Sequence, residues 1–375
     1  MKPYIAVPAV AALVYRAWSR KSLTPLGIVV ATVTAVVHVI HPWSVCFALL
    51  VVFFLAGTAV TKVKHDVKSR LTQSASGASG GEGSRTHIQV LANSLVASVL
   101  ILLHARELYR RDTSGAELCF SAGREDILFV GIVANYAAVA ADTFSSELGI
   151  LSRSPPRLLT SPTFRTVPPG TNGGVTLIGT LAGFLGALTI ALTTLLLTPW
   201  CANPSTSQTS TSTPATKALV VLFITVWGAL GSLLDSFLGG TLQASVLDIR
   251  TNKIVEGEGG HKVLVPSASG GSMHYQKLAE VKSRVLNGEG AGSIEHIAAT
   301  APASSSTTTG SADTSTAANV ARRRVADSER EKGDEEAPSR TVVSGWGLLD
   351  NNGVNFLMAL LMSLGGMGVA AAAFL

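Results

Sequence analysis

Two acidic segments and one glycine-rich turn carry the residues of this chain that could do phosphate chemistry. The segment ADTFSSELG holds Asp142 and Glu147, and the segment GSLLDSFLGGTLQ holds Asp235. The turn PGTNGG, residues 169–174, opens a long apolar run. Carboxylates are ligands for Mg²⁺, and glycine lets backbone N–H groups approach phosphate oxygens closely. These residue types indicate phosphate chemistry at the edge of a membrane helix.

The composition predicts a polytopic membrane protein, because 47% of the residues are hydrophobic and only 14% are charged. Backbone in lipid must satisfy its own hydrogen bonds, so runs rich in Leu, Val and Ala favour an all-α helical bundle over a barrel. The first run also fits a signal peptide, but Val14, Tyr15 and Arg16 offer no small-residue cleavage site, so seven or eight spans are expected. The apolar runs are Tyr4–Tyr15, Thr24–Ile40, Trp43–Val60, Val90–His104, Ile127–Leu148, Val175–Leu197, Ala218–Leu238 and Val354–Leu375.

The chain is predicted to have three parts. Residues 1–240 form a membrane bundle of seven helices, residues 241–345 form a cytosolic loop, and residues 346–375 add the last helix. The loop is predicted to be partly disordered, because its stretch 304–340 is rich in Ser, Thr and mixed charge without apolar periodicity. The sequence of this insertion says nothing about chemistry and leaves its role open.

The remaining composition excludes several classes of function. Cys46, Cys119 and Cys201 are scattered without paired spacing, so neither a disulfide framework nor a zinc site is predicted. The net charge of +5 is spread over loops without interleaved aromatic residues, which argues against nucleic-acid binding. The histidines near the opposite surface are interpreted as interfacial residues without a catalytic role: His38, His41 and His104.

Counting the membrane crossings along the chain predicts that the polar motifs lie on one side of the membrane. They fall in the connections that follow apolar runs three, five and seven, and any two of these connections are separated by an even number of membrane crossings. We call this side the motif face. Its flanking Lys and Arg residues predict that it is cytosolic, although connection four carries four basic residues on the other side. An endomembrane such as the endoplasmic reticulum is the expected location.

Three helices begin at the motif face, and free N–H groups at helix N-termini bind phosphate. Run four begins near Gln89 and Asn93, run six after the turn 169–174, and run eight after Asp350 and Asn352. Asp and Asn are also preferred capping residues, and Gly and Pro punctuate ordinary loops. Ligand binding and helix capping both remain open for these positions.

Two other helices end at the motif face and carry the acids. An ionised carboxylate near a helix C-terminus and hydrocarbon needs compensation, which Mg²⁺ bound by Asp142 and Asp235 would supply. Glu147 is five residues from Asp142, about 140° around an unbroken helix, so the two share a face only if the helix ends or bulges. The structural alternative is an intramembrane ion pair of these acids with Lys62, Lys64 or Arg153. Lys62 is the preferred lysine for neutralising phosphate charge.

Six motifs in order resemble a family of integral membrane proteins that includes transmembrane protein 19 and the plant phytyl-phosphate kinase. They are FFLAGTAVTKVKHDVK (53–68), QVLAN (89–93), ADTFSSELG (141–149), VPPGTNGGVTL (167–177), GSLLDSFLGGTLQ (231–243) and LLDNNGVNF (348–356). The resemblance implies a kinase of prenyl-alcohol monophosphates that uses CTP or another nucleoside triphosphate and forms the diphosphate. The family positions carried over here are Lys62, Gln89, Asn93, Asp142, Glu147, Pro169, Gly170, Thr171, Asn172, Gly173, Asp235, Asp350, Asn352 and Asn355.

The mechanistic hypothesis assigns Asp142 and Asp235 to Mg²⁺. It assigns Asn172, Gly173 and Gly174 to the donor phosphates. Lys62 neutralises charge, and Glu147 orients a group or adds a second metal ligand. The expected partners are the lipid bilayer, an isoprenoid phosphate and a nucleotide. The alternative function is a transporter or flippase for a phosphorylated lipid or an anion, which would use the same helix ends. A scaffold without a ligand is a third possibility.

Overall fold

The computed structural model describes residues 2–74, 80, 83–115, 118–121, 123–201, 213–263 and 340–373. Each predicted apolar run corresponds to a helix in the described residues, and one short helix, α4, was not predicted. The α-helices of the described residues are α1 (Pro3–Ser19), α2 (Pro25–Ile40), α3 (Ser44–Lys62), α4 (His65–Leu71), α5 (His87–Thr113), α6 (Ile127–Gly149), α7 (Leu177–Leu197), α8 (Pro214–Leu242) and α9 (Asn351–Ala373).

The predicted all-α membrane bundle is confirmed. Within the described residues, α3, α5, α6, α7, α8 and α9 are long and apolar enough to cross a bilayer. Helix α2 is a shorter apolar helix of 16 residues. Helix α1 has 17 residues with Pro8 in its interior, and it packs against α2.

Helix α6 is the centre of the bundle and packs against α3, α5, α7, α8 and α9. Its residues Ala137–Ala141 are buried, and glycines of the neighbouring helices face them. A Cβ added to Gly186 of α7 would lie 2.5 Å from the Ala140 carbonyl oxygen, and one added to Gly228 of α8 would lie 2.8 Å from the Ala137 oxygen. Small residues at these contacts let backbones approach closely. This packing holds the ends of α6, α7 and α8 together at the motif face.

Short strands cover the motif face. β1 (Thr72–Ser74), β5 (Lys253–Glu256), β4 (Ser245–Asp248) and β6 (Arg340–Ser344) form one sheet in that order. β1 and β5 are parallel, with Thr72 opposite Ile254, and β2 (Arg157–Leu158) pairs antiparallel with β3 (Gly174–Val175). Part of the predicted loop 241–345 is therefore ordered structure, whereas 264–339 lies outside the described residues.

The chain divides into two compact units. The first comprises Met1–Leu247, Asn252–Val263 and Val342–Leu375, and it contains all the helices named above. The second comprises Asp248–Thr251 and Leu264–Thr341. Of the second unit the structure describes the turn at Asp248, where the Arg250 N–H donates to Asp248 Oδ1 at 2.9 Å, and the first two residues of β6.

A disulfide joins Cys119 and Cys201, so the prediction that the cysteines form no disulfide was wrong. The two cysteines are 82 residues apart, in the segments that follow α5 and α7, and both of these helices pack against α6. The Phe120 N–H donates to the Pro199 oxygen at 2.7 Å beside the bridge. Both helices begin at the motif face, so the disulfide lies on the opposite face.

The three histidines, predicted to be interfacial, are buried within the protein. His41 Nε2 lies 2.9 Å from His104 Nδ1, and the Tyr136 hydroxyl lies 2.5 Å from His38 Nε2. Burial lowers the pKa of His41 to about 4, so its imidazole is neutral near pH 7. Trp43 packs on His104 with 5.0 Å between ring centroids. These contacts tie α2, α5 and α6 together away from the motif face.

Candidate functional site

The carboxyl groups of Asp142 and Asp235 are in hydrogen-bonding contact where α6 and α8 reach the motif face. Asn355 of α9 joins them: with its amide nitrogen facing the acceptors, it donates to Asp235 Oδ1 at 3.1 Å and to the Asn351 oxygen at 3.2 Å. We call Asp142 and Asp235 the carboxyl pair. Three central helices thus converge on two half-buried acids.

Small residues surround the carboxyl pair. Ser145 lies one turn after Asp142, and Ser232 lies one turn before Asp235. A Cβ added to Gly183 of α7 would lie 3.6 Å from Ser145 Cβ and 3.7 Å from Ser232 Cβ. The missing side chain at Gly183 lets α7 approach both serines, so three helices border the pair with hydroxyl groups and backbone.

Glu147 belongs to a different contact. Helix α6 continues without a break to Gly149, so Glu147 points away from the direction of Asp142, as helix geometry requires. Glu147 forms an ion pair with Lys68 of α4. The Lys68 ammonium also donates to the Thr61 oxygen at 2.6 Å and the Val60 oxygen at 3.2 Å. Glu147 therefore forms an ion pair, as the structural alternative predicted, but its partner is Lys68 and not one of the basic residues named in the prediction.

Lys62 is exposed at the last residue of α3, whereas the lysine that the structure buries is Lys68. Lys64 adopts a left-handed conformation with φ of 47°, which turns the chain back under the end of α3. This reversal carries Lys68 beneath the free carbonyls of α3. The residue types do not mark this reversal, because left-handed backbone is usually found at Gly or Asn.

The glycine-rich turn packs against α8 and the sheet. The Asn172 N–H donates to Ser245 Oγ at 2.9 Å, and the Thr171 hydroxyl donates to the Pro168 oxygen at 2.7 Å. Gly170 has φ of +85°, and a Cβ there would lie 2.6 Å from Thr72 Cγ2. Pro169 enters this turn, and the Gly174 N–H closes it by donating to the Thr171 oxygen at 3.0 Å. The turn thus joins β1, β4 and the end of α8.

Gly173 should be the least replaceable glycine of the turn. Its φ is +79°, and a Cβ there would lie 2.7 Å from Gly240 Cα and 2.8 Å from the Ser236 oxygen, both backbone atoms of α8. We expect Gly173→Ala to cost about 2–4 kcal/mol through strain and the clash. The matched control is Gly83→Ala, since Gly83 has open space at its Cβ and ordinary φ. Thermal unfolding in detergent measures both; equal midpoints would contradict the packing role.

The start of α5 is a capping box. The Gln89 side chain accepts from the Thr86 N–H at 2.8 Å, and the Thr86 hydroxyl accepts from the Gln89 N–H at 3.4 Å. The Asn93 amide donates to the Gln89 oxygen at 3.0 Å. Helix α7 is capped in the same way, by Thr176 Oγ1. Capping therefore accounts for these contacts of Gln89, which the sequence also allowed as a ligand.

The start of α9 combines capping with contacts to the 257–260 turn. Asp350 Oδ1 accepts from the Gly353 N–H at 2.8 Å, and Asp350 Oδ2 lies 3.8 Å from His261 Nδ1. The buried Asn352 donates to the Gly259 oxygen at 2.8 Å, and its own Oδ1 has no hydrogen-bond partner. Asn355, one turn on, is the residue of this helix that reaches the carboxyl pair.

The carboxyl pair fits a magnesium site completed by substrate. The partners shown for Asp235 are a carboxyl and an amide, and neither carries positive charge. Two carboxylates in contact cannot both stay ionised unless a proton or a cation lies between them. Among the described residues no group of three or more His, Cys, Asp and Glu side chains could hold a metal ion. Magnesium needs no such cage, because it is held by one or two carboxylates, waters and substrate phosphates.

Comparison with known proteins places these motifs in a wider group. Residues 8–363 match the family described as "Integral membrane protein DUF92". "Protein PGR" of Arabidopsis thaliana is 35% identical over 246 residues, 65% of this chain and 80% of that protein. "Uncharacterized membrane protein MJ0933" of Methanocaldococcus jannaschii is 33% identical over 195 residues, 52% of this chain and 64% of that protein.

"Protein VTE6, chloroplastic" of Arabidopsis thaliana is 32% identical over 148 residues, which are 40% of this chain and 39% of that protein. The aligned region is thus well under half of either protein. No solved structure matches the chain.

Proposed function

This chain belongs to the integral membrane protein DUF92 family, and on that premise we propose that it is a membrane-embedded kinase of isoprenoid monophosphates. It would transfer the terminal phosphoryl group of CTP or another nucleoside triphosphate to the lipid phosphate. The observation that carries this proposal is the carboxyl pair, which joins α6 and α8 at the same face as the glycine-rich turn. The resemblance of six motifs to a family with a phytyl-phosphate kinase supports the choice of reaction.

The proposed reaction makes and breaks one bond to phosphorus. An oxygen of the acceptor monophosphate attacks the terminal phosphorus of the donor, and the bond from that phosphorus to the bridging oxygen breaks. The nucleoside diphosphate leaves with the electron pair. The acceptor phosphate is already a competent nucleophile, so no strong general base is needed. The chain's task is then to position two polyanions and offset their charge.

Asp142 and Asp235 would hold Mg²⁺ together with phosphate oxygens of the donor. Bound there, the ion would offset negative charge on the transferring group. Asn355 holds Asp235 through its amide, and Ser145 and Ser232 line the approach from α7. Gly183 keeps this side of the pair free of a side chain. These residues orient the carboxylates without adding a competing positive charge.

The disulfide supports a cytosolic orientation of the motif face. Disulfides persist in oxidising compartments, and Cys119–Cys201 lies on the opposite face. We therefore place the carboxyl pair on the cytosolic side of an endomembrane such as the endoplasmic reticulum, where nucleoside triphosphates are available. In sealed microsomes, a membrane-impermeant maleimide should label neither cysteine before the vesicles are both permeabilised and reduced. Labelling after external reduction alone, without permeabilisation, would reverse the orientation.

Purified protein in detergent tests the activity directly. It is incubated with Mg²⁺, labelled CTP or ATP, and a panel of prenyl monophosphates of different chain lengths. Label should appear in the prenyl diphosphate and should disappear when EDTA removes the metal. Label in none of the lipids, together with flux of a prenyl phosphate across liposomes, would overturn the kinase and favour the transporter.

A further inference from the structure

An apolar groove runs between α1, α2, α3 and α5. Its empty volume is about 760 Å³ when the open space at its mouth is counted. Its apolar wall includes Val10 and Leu13 of α1, Ile28 and Ala35 of α2, and Phe53 of α3. From Ile28 to Ala35 the helix rises about 10 Å. The groove therefore offers a long apolar surface inside the membrane region.

One end of the groove is polar and positively charged. Arg85, Gln89 and Asn93 line it there. Gln89 Oε1 accepts in the capping box and the Asn93 amide donates to a backbone oxygen, so Arg85 is the charged residue among these three. Its guanidinium donates to Thr61 Oγ1 at 3.0 Å, and within the described part of the chain no carboxylate lies within 4.0 Å of it.

The charged end also borders the carboxyl pair's helix. A Cβ added to Gly57 of α3 would lie 3.7 Å from Arg85 Nη1 and 3.7 Å from Thr143 Cγ2. Thr143 is the residue after Asp142, so the guanidinium and the motif-face end of α6 lie on either side of the same glycine. A phosphate held by Arg85 would be close to the helix that supplies Asp142.

We propose that this groove binds the acceptor, an isoprenoid monophosphate, with its phosphate on Arg85 and its chain between α1, α2, α3 and α5. This inference rests on the proposed function and adds the location of the lipid. Charge complementarity selects the occupant: a guanidinium forms paired hydrogen bonds with phosphate oxygens, and the apolar wall suits a hydrocarbon chain. Arg85 is then a binding residue that the motif comparison did not include.

Photocrosslinking tests the site without turnover. The probe is a farnesyl monophosphate that carries a diazirine on its chain, added to the full-length protein in detergent without nucleotide. We expect crosslinks to peptides of α1, α2 and α5, and competition by geranylgeranyl monophosphate. Arg85→Gln should raise the probe concentration at half-maximal crosslinking at least about tenfold, because it removes a charge-assisted contact with phosphate. The matched control, Arg153→Gln, removes an exposed charge beside the end of α6 and should stay within about twofold.

A second pair of variants tests the apolar wall. Ala35→Phe fills the groove and should prevent crosslinking there; because Ala35 is buried, Val10→Trp repeats the test from the peripheral α1. Equal half-saturation in Arg85→Gln and Arg153→Gln, or crosslinks mapped outside the groove, would overturn the site. Competition by phosphatidic acid but not by geranylgeranyl monophosphate would assign the groove to an ordinary membrane lipid and also overturn it.

The kinase proposal and the groove proposal can be contradicted independently of each other. Groove crosslinking with no diphosphate formed by the wild-type protein would remove the kinase and keep the binding site. Diphosphate formation without groove crosslinking would keep the kinase and remove the binding site. Asp142→Asn should retain crosslinking while losing turnover, since it changes the carboxyl pair and not the groove.

Discussion

Asp142→Asn and Asp235→Asn should each lower diphosphate formation by at least about 100-fold, while the protein still folds and enters the membrane. Each replacement removes one of two carboxylates that would share Mg²⁺ with the donor phosphates, and such an ion contributes several kcal/mol to stabilising charge in the transition state. The double variant should be little worse than either single variant, because groups that act as a unit are not additive. Initial rates with labelled nucleotide measure the effect.

The same two variants should not lower thermal stability measured in EDTA. Without the metal the two carboxyl groups must share a proton, and an amide in place of one of them keeps a hydrogen bond in this contact without adding a charge. A loss of activity with an unchanged or higher unfolding midpoint therefore indicates metal binding, whereas a loss of both indicates a structural role. The control is Asp66→Asn, an exposed acid of α4 on the motif face, which should leave rates within about twofold. Full turnover in both pair variants would contradict the assignment.

The sequence allowed Asp142 and Asp235 to be assigned to one face of the membrane, because topology determines which helix ends share a face. Apolar runs set the number and direction of crossings, and the ends of alternate helices must then share a face. Asp142 and Asp235 lie at two such ends, and the structure brings them into contact. Which helices are neighbours depends on the small residues that let α6, α7 and α8 pack closely, such as Gly186 and Gly228. These glycines are visible in the sequence, but their partners are not.

The residues that the sequence did not identify are those positioned by irregular backbone or by distant pairing. Lys68 reaches Glu147 only because Lys64 takes a left-handed conformation without being glycine. Arg85 lies beside α3, and its backbone pairs with Leu23, which follows α1. This isolated bridge leaves no periodic pattern in the sequence. The disulfide joins cysteines 82 residues apart. In each case the determining contact is long-range, and local patterns carry no information about it.

The Lys68–Glu147 ion pair should be the contact whose loss most destabilises the motif face. The side chains are 9% and 16% exposed, and the Lys68 ammonium also satisfies two free carbonyls at the end of α3. Lys68→Met would leave a buried carboxylate unpaired and those carbonyls unsatisfied, so we expect a loss of about 3–5 kcal/mol. Glu147→Gln should cost less, because the ammonium keeps its carbonyl partners near the negative end of the helix dipole.

A double-mutant cycle distinguishes this pairing from general damage. Lys68→Met combined with Glu147→Leu replaces two charges by apolar groups and should recover part of the loss, since no buried charge remains unpaired. The matched control is Lys62→Met, which changes an exposed lysine at the end of α3 and should change stability by less than about 0.5 kcal/mol. If Lys62 neutralises phosphate charge as predicted, that variant lowers turnover without lowering the unfolding midpoint. Additive losses in the cycle would mean that Lys68 acts on the α3 carbonyls alone.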